Sequence, residues 1–172
     1  MKRNDQVYGV CSGYTHDGHG VVKIDGFPLF VKGMLEGEAG ELVVTMAKKK
    51  FGYGRLMKRS KTSSQRVAPP CPIAKQCGGC QLQHMSYAEQ LRFKKQKVQD
   101  VMQRIAHLDI EVRDVLGMQD CYTNYRNKGQ IPVGVEKGKT VTGFYRLNSN
   151  AIIDTDTCLS QSERINAVLQ EM

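Results

Sequence analysis

Val21-Val22-Lys23-Ile24-Asp25-Gly26-Phe27-Pro28-Leu29-Phe30-Val31 is the stretch that decides the fold. Two runs of β-branched and aromatic residues flank Asp-Gly, a dipeptide that tolerates the left-handed backbone of a tight hairpin turn. Upstream, Val7-Tyr8-Gly9-Val10 reads as a strand that ends before the Gly18-His19-Gly20 turn. Downstream, a glycine-bounded loop over 33–40 leads to Glu41-Leu42-Val43-Val44-Thr45-Met46 and then Phe51-Gly52-Tyr53-Gly54-Arg55-Leu56-Met57. Five short strands within 60 residues predict a small antiparallel barrel of the OB-like kind, whose closure removes exposed sheet edges.

The pattern changes after residue 60. Residues 61–70 are polar, end in Pro69-Pro70, and read as a linker. A cysteine-rich loop follows, and then a helix. Ser86 and Glu89 fit a capping box, and Leu91, Val98, Val101, Met102, Ile105 and Leu108 fall on one helical face. Residues 130–135 and 140–145 read as strands around a Lys137-Gly138-Lys139 turn, with a third short strand at 151–154. A last helical pattern starts near Ser160 and reaches Met172 with no Gly or Pro to end it, so the chain is expected to stop inside an element. The fold class is mainly β with α, an α+β chain. It consists of a barrel over 1–60, a linker over 61–70, and a second domain over 71–172 with a cysteine loop, a helix and a small sheet.

Among the 172 residues, 40% are hydrophobic and 24% charged, a globular composition. No apolar run is long enough to span a membrane, and no apolar leader core follows Met1, so a cytoplasmic protein is expected, working as a monomer. The net charge of +8 is unevenly spread. Between Glu41 and Glu89 there is no carboxylate, yet the interval holds Lys48, Lys49, Lys50, Arg55, Lys58, Arg59, Lys61, Arg66 and Lys75. Solubility needs no such excess; a phosphate backbone is the usual partner of such a field. Tyr53, between two glycines, is a candidate for stacking on a base. Arg126 and Lys128, with Arg146 on the paired strand, form a second candidate cation row.

Cys71, Cys77 and Cys80 are spaced C-x5-C-x2-C, and Cys158 follows a strand end much later. Three thiolates so close in sequence can wrap one face of a metal group, and Cys158 is the candidate fourth ligand. Spacing alone leaves open a [4Fe–4S] cluster, tetrahedral zinc, or redox-active thiols. Gly78-Gly79 can turn tightly and direct N–H groups at sulfur. His84 has at most a supporting role near the metal group; otherwise it packs or caps the loop. Cys11 and Cys121 read as packed thiols.

Cys71-Pro72, Cys77-Gly78-Gly79-Cys80-Gln81-Leu82-Gln83-His84, Tyr87, Gln90-Leu91 and Lys94 together resemble the signature of the RNA (uracil-C5)-methyltransferase family, whose best-known bacterial members modify 23S rRNA. Gly18-His19-Gly20-Val21, Phe30-Val31 and Gly37-Glu38 are similar to the TRAM domain that these enzymes carry, with Glu36 where proline is usual. Tyr125-Arg126-Asn127-Lys128 and Gly143-Phe144-Tyr145-Arg146 resemble the family's central domain. The resemblance implies that the barrel binds RNA and that Cys71, Cys77, Cys80 and Cys158 hold a [4Fe–4S] cluster. It also implies a reaction in which a cysteine thiolate attacks uracil C6 and C5 takes a methyl group from S-adenosylmethionine, on a base flipped out of its RNA.

The family's cofactor domain has no counterpart in these residues. No glycine-rich cofactor fingerprint is present, nor an Asp-Pro-Pro-Arg motif with a nearby Gly-Cys nucleophile. The chain is therefore expected to be the RNA-binding and cluster-binding part of such an enzyme, with no S-adenosylmethionine site or catalytic residue of its own and no activity alone. The competing reading is a free-standing RNA-binding protein with a structural zinc or iron–sulfur site. A radical methylthiotransferase, which also carries a TRAM barrel, would need C-x3-C-x2-C, not the spacing found.

Overall fold

The computed structural model describes residues 1–118, 121–136 and 138–172; Lys137 of the expected turn lies outside the described residues. The chain divides into two compact units, Met1–Ala68 with His84–Val115, and Pro69–Gln83 with Leu116–Met172.

In the first unit, β1 (Gln6–Tyr14), β2 (Gly20–Ile24), β3 (Phe27–Val31), β4 (Ala39–Ala47) and β5 (Gly52–Lys61) close a barrel in the order β1-β2-β3-β5-β4. Asp25 and Gly26 both take positive φ, 49° and 80°, which is the turn their sequence predicts between β2 and β3. One pairing departs from the antiparallel expectation: β3 runs parallel to β5, with Phe30 opposite Tyr53. Closure requires it, because β4 and β5 form a hairpin whose second strand must meet β3 on its free edge. Alternate residues point inward, so Cys11, Val22, Leu29, Val31, Met34, Leu42 and Val44 form the core.

The inward positions leave no space for larger residues where strands cross. A methyl group at Gly40 would sit 2.2 Å from the Lys58 carbonyl oxygen, and one at Gly54 2.7 Å from Leu29 Cδ2. Residues of the 61–70 stretch also engage the barrel. Arg66 reaches the fully buried Glu38 through Nε at 2.6 Å and Nη2 at 2.7 Å, and the Ser63 and Leu35 N–H groups donate to the same carboxylate. Burial pushes the Glu38 carboxyl up, but these donors, Arg66 first, outweigh it and hold the group below the usual carboxylate range.

Helix α1 (Tyr87–Arg104) belongs to this unit. Ser86 caps it, accepting from the Glu89 N–H at 3.2 Å. The reciprocal half of the capping box is absent: the Ser86 N–H donates to the Gln65 carbonyl, and Glu89 turns to Tyr14 and Arg92. The Tyr14 hydroxyl donates to Glu89 at 2.6 Å and accepts from the Glu36 N–H at 3.0 Å, while Arg92 pairs with both carboxylates. Phe93 packs edge-on against Tyr14 at 5.5 Å. The helix is therefore fixed by its first two turns. Val98, Val101, Ile105 and Leu108, which share one helical face, are exposed.

In the second unit, β6 (Val133–Glu136), β7 (Lys139–Tyr145) and β8 (Ile152–Asp154) form an antiparallel sheet in sequence order, followed by α2 (Glu163–Glu171) capped by Ser162. No helix among the described residues is long and apolar enough to cross a membrane.

Candidate functional site

The second unit brings the distant Cys158 together with the three clustered cysteines. Cys71, Cys77, Cys80 and Cys158 line one cavity of about 40 Å³, with Ile73, Ala74, Phe144 and Leu159 as apolar wall and Arg126, Ser160 and Gln161 as polar wall. All six cysteines of the chain are free thiols. The first three ride on a tight loop. The Ala74 N–H donates to the Cys71 carbonyl, and the Gln76 and Cys77 N–H groups donate to the Ile73 carbonyl. This loop is stitched to the end of β7: the Gly78 N–H donates to the Tyr145 carbonyl at 3.0 Å and the Leu147 N–H to the Gln76 carbonyl at 2.8 Å. The Gly79 N–H donates to Cys77 Sγ at 3.3 Å, the sulfur contact that the glycine pair predicts. Neither Gly78 nor Gly79 has positive φ; the strand docking, not an unusual dihedral, sets the turn.

Cys158 is held from the other side. Its N–H donates to Asn166 Oδ1 at 2.9 Å, and Asn166 Nδ2 donates back to its carbonyl at 3.1 Å, clamping it to α2. Cys80 Sγ lies 3.6 Å from Ser160 Oγ. Burial pushes the Cys71 thiol up, and its proximity to Cys158, Cys80 and Cys77 adds to the shift, as for thiols facing one another across a shared space. Among the described residues no group of three or more His, Cys, Asp or Glu side chains is placed to hold a single metal ion. The thiols thus share a cavity without forming a one-ion site.

The remaining cysteines stand apart. Cys11 is in the barrel core, 1% exposed, and burial raises its thiol. Cys121 is exposed, its thiol donating to the Thr123 carbonyl at 3.1 Å, rather than packed as its sequence suggests. His84 belongs to the barrel unit and does not line the cavity; its buried Nε2 has no hydrogen-bond partner among the described residues. Burial first, then Arg66, with Arg59 and Lys32 adding and Glu38 opposing, pushes its imidazole down to about 4. Gln161 escapes sequence reasoning: it is 3% exposed, lines the thiol cavity, and its Oε1 lacks a partner among the described residues. Only its distance in space, which no local pattern encodes, connects it to the cysteines.

The candidate RNA residues fall into three groups. Lys48, Lys49 and Lys50 are exposed in the β4–β5 turn, and Arg55, Lys58 and Tyr53 are exposed on β5. Arg59 is turned inward, with Nε 3.2 Å from Glu38 Oε1, near enough for an ion pair though not aligned for a hydrogen bond. Arg126 and Lys128 are exposed but lie outside any strand: Arg126 bridges to Gln161, and Arg146 bridges to Cys77, so the expected cation row across a hairpin does not form. Arg126 instead lines the thiol cavity, its guanidinium 6.0 Å from the Tyr125 ring.

A small closed barrel and a four-thiol unit make up the chain, and sequence comparison finds relatives for it. No family model matches the chain. Uncharacterized RNA methyltransferases of Listeria innocua and Halalkalibacterium halodurans are each 44% identical to it, over 99% and 100% of the chain and 38% of their own length. One from Oceanobacillus iheyensis is 49% identical over 90% of the chain and 34% of its length. The solved structure of a Pyrococcus abyssi tRNA (uracil-54, C5)-methyltransferase, in complex with S-adenosyl-L-homocysteine, covers 95% of the chain with a TM-score of 0.58. The match extends over 35% of that structure at 24% identity, a likeness of fold. Over nearly its whole length the chain is similar to RNA methyltransferases, and it spans little more than a third of the length of the relatives it matches.

Proposed function

We propose that this chain is the RNA-binding and [4Fe–4S]-binding portion of an S-adenosylmethionine-dependent uracil-C5 methyltransferase acting on 23S rRNA. The observation that carries the reading is the convergence of Cys71, Cys77, Cys80 and Cys158 on one cavity within a chain homologous throughout to RNA methyltransferases. The donor set fits a cluster. A tetrahedral zinc ion bound at about 2.3 Å would draw its four sulfurs to about 3.8 Å from one another, whereas each thiolate of a cluster binds a separate iron. Four thiols around a shared cavity match the four-cysteine set that the family's signature implies for a cluster.

In this reading the four cysteines hold the cluster, Gly79 N–H and Ser160 support its sulfur ligands, and Asn166 orients Cys158. The cluster supplies a four-point tie between the 71–80 loop and the segment before α2, because methyl transfer to uracil C5 needs no electron. The barrel's exposed lysines hold the RNA backbone, and the methyl-transfer chemistry falls to residues outside this chain.

Anaerobic purification tests the metal half of the proposal. A brown protein with about four irons and four sulfides per chain is expected. A colourless protein with one tightly held zinc per chain overturns the cluster. Binding of 23S rRNA fragments in preference to tRNA tests the substrate half; equal or reversed preference overturns the 23S assignment.

A further inference from the structure

The outward face of the barrel carries three aromatic rings that the core does not use. Leu29 and Val31 point inward and are fully buried, so Phe30 between them faces out. Tyr53 is outward for a complementary reason: at Gly54 even a methyl group would strike Leu29, and at Gly52 one would lie 2.7 Å from the Met46 carbonyl oxygen. Phe51 closes the β4–β5 turn, its carbonyl accepting from the Lys48 N–H at 2.8 Å.

These three rings form one cluster. Phe30 and Phe51 lie 5.4 Å apart with planes tilted by 31°, and Tyr53 meets each edge-on, at 5.8 Å from Phe30 and 5.9 Å from Phe51. Tyr53 is 37% and the adjoining Met46 49% exposed. Lys48 Nζ stands 5.1 Å over the Phe51 ring, Lys49 and Lys50 are beside it, and Arg55 is two residues along β5 from Tyr53. Aromatic surface left partly in water, and rimmed by cations with no carboxylate between Glu41 and Glu89 in the sequence, suits a partner that is flat, apolar on its faces and anionic along its backbone.

We infer that Phe30, Phe51 and Tyr53 form a stacking platform for an unpaired nucleobase of RNA, with Lys48, Lys49, Lys50 and Arg55 on the flanking phosphates. The inference rests on the proposed RNA-binding role and adds the form of RNA: a single-stranded segment whose base lies flat on the platform. Stacking tolerates any base, so the platform confers a preference for unpaired structure rather than for sequence.

The test uses the full chain, a fluorescein-labelled 12-nucleotide oligouridylate and an RNA duplex of equal length, read by anisotropy over a series of salt concentrations. Tyr53→Ala and Phe51→Ala are expected to weaken oligouridylate binding by roughly five- to a hundredfold while leaving the salt slope unchanged. Tyr53→Phe keeps the ring and wild-type affinity. Lys48→Ala lowers the slope. Since the chain has no Trp, Tyr53→Trp provides a single indole whose emission is quenched when a base stacks on it. Wild-type affinity in both alanine variants, or an indole unmoved by bound RNA, overturns the platform while leaving RNA binding intact. Absence of salt-dependent RNA binding in the wild type overturns the RNA reading itself, and tight binding of an acidic peptide in its place assigns the face to a protein.

Discussion

Lowering the pH from 7.5 to 4.5 should strip the barrel unit of stability through one residue, His84. Its imidazole is pushed from 6.5 down to about 4, first by burial and then by Arg66, Arg59 and Lys32, with Glu38 opposing. The sign follows from proton counts. Between those two values the unfolded chain binds a proton at His84 and the folded chain does not, so stability is fully present above 6.5 and is lost as pH falls toward 4. At pH 4.5 the loss comes to about 2.5 kcal/mol, or roughly 10 °C or more in melting temperature for a unit of about 100 residues. His84→Gln removes the titration, so the gap between wild type and variant should open across this window. Glu38, also held low, titrates in both proteins and cancels from the difference. Thermal melts give the gap, and the His84 ring proton resonance gives its midpoint directly. Parallel melting curves, or an NMR midpoint near 6.5, would refute the reasoning.

Other outcomes follow from the geometry. Gly40→Ala places a methyl group 2.2 Å from the Lys58 carbonyl oxygen, between two backbones that cannot yield cheaply, and should lower barrel stability by about 1–3 kcal/mol in denaturant unfolding. Cys158→Ser should lower iron content and the stability of the second unit together, while Cys121→Ser and Cys11→Ser leave iron unchanged; a full complement of iron in Cys158→Ser with loss in Cys121→Ser would show that the fourth ligand is misassigned. RNA affinity of the intact chain should fall by roughly 10³-fold for duplex and several hundredfold for single strands between 50 and 200 mM salt, measured by titration.

The barrel was legible because its signals are local. Asp25-Gly26 fixes a turn, and Leu29/Val31 against Phe30 fixes an alternation. The parallel β3–β5 pairing was not, since it follows from closure rather than from any run of residues. The fate of α1 was hidden for a similar reason: helical spacing of Val98, Val101 and Ile105 shows which residues share a face but not whether another element covers it. The four cysteines expected to act together line one cavity, and Cys158 is picked out in the sequence by its place after a strand. Gln161 was missed because a lone glutamine carries no pattern, and Arg126 was put on a strand it does not join because alternating Tyr125-Arg126-Asn127-Lys128 mimics one.

The charge pattern itself needs the structure before it yields a number. Nine cations lie between Glu41 and Glu89, but they are not equivalent. Arg59 and Arg66 face Glu38, a carboxylate with no exposed side-chain surface, and withdrawing Arg66, its main partner, would leave a buried charge poorly paired. Lys75 belongs to the other unit. What remains on the barrel is Lys48, Lys49, Lys50, Arg55, Lys58 and Lys61, six cations, all exposed. If each neutralises one phosphate, the slope of log affinity against log salt is about −5 for duplex and about −4 for single-stranded RNA, and a fourfold rise in salt then gives the losses stated above. The same reasoning separates the two inward arginines from the rest. Arg66→Ala should destabilise the barrel while hardly altering the salt slope of whatever folded protein survives, whereas Lys49→Ala should reduce the slope by nearly one and leave melting unchanged. A steeper loss of slope in Arg66→Ala than in Lys49→Ala would mean that the Glu38 ion pair opens to bind phosphate, and that the barrel trades an internal contact for an external one when RNA arrives.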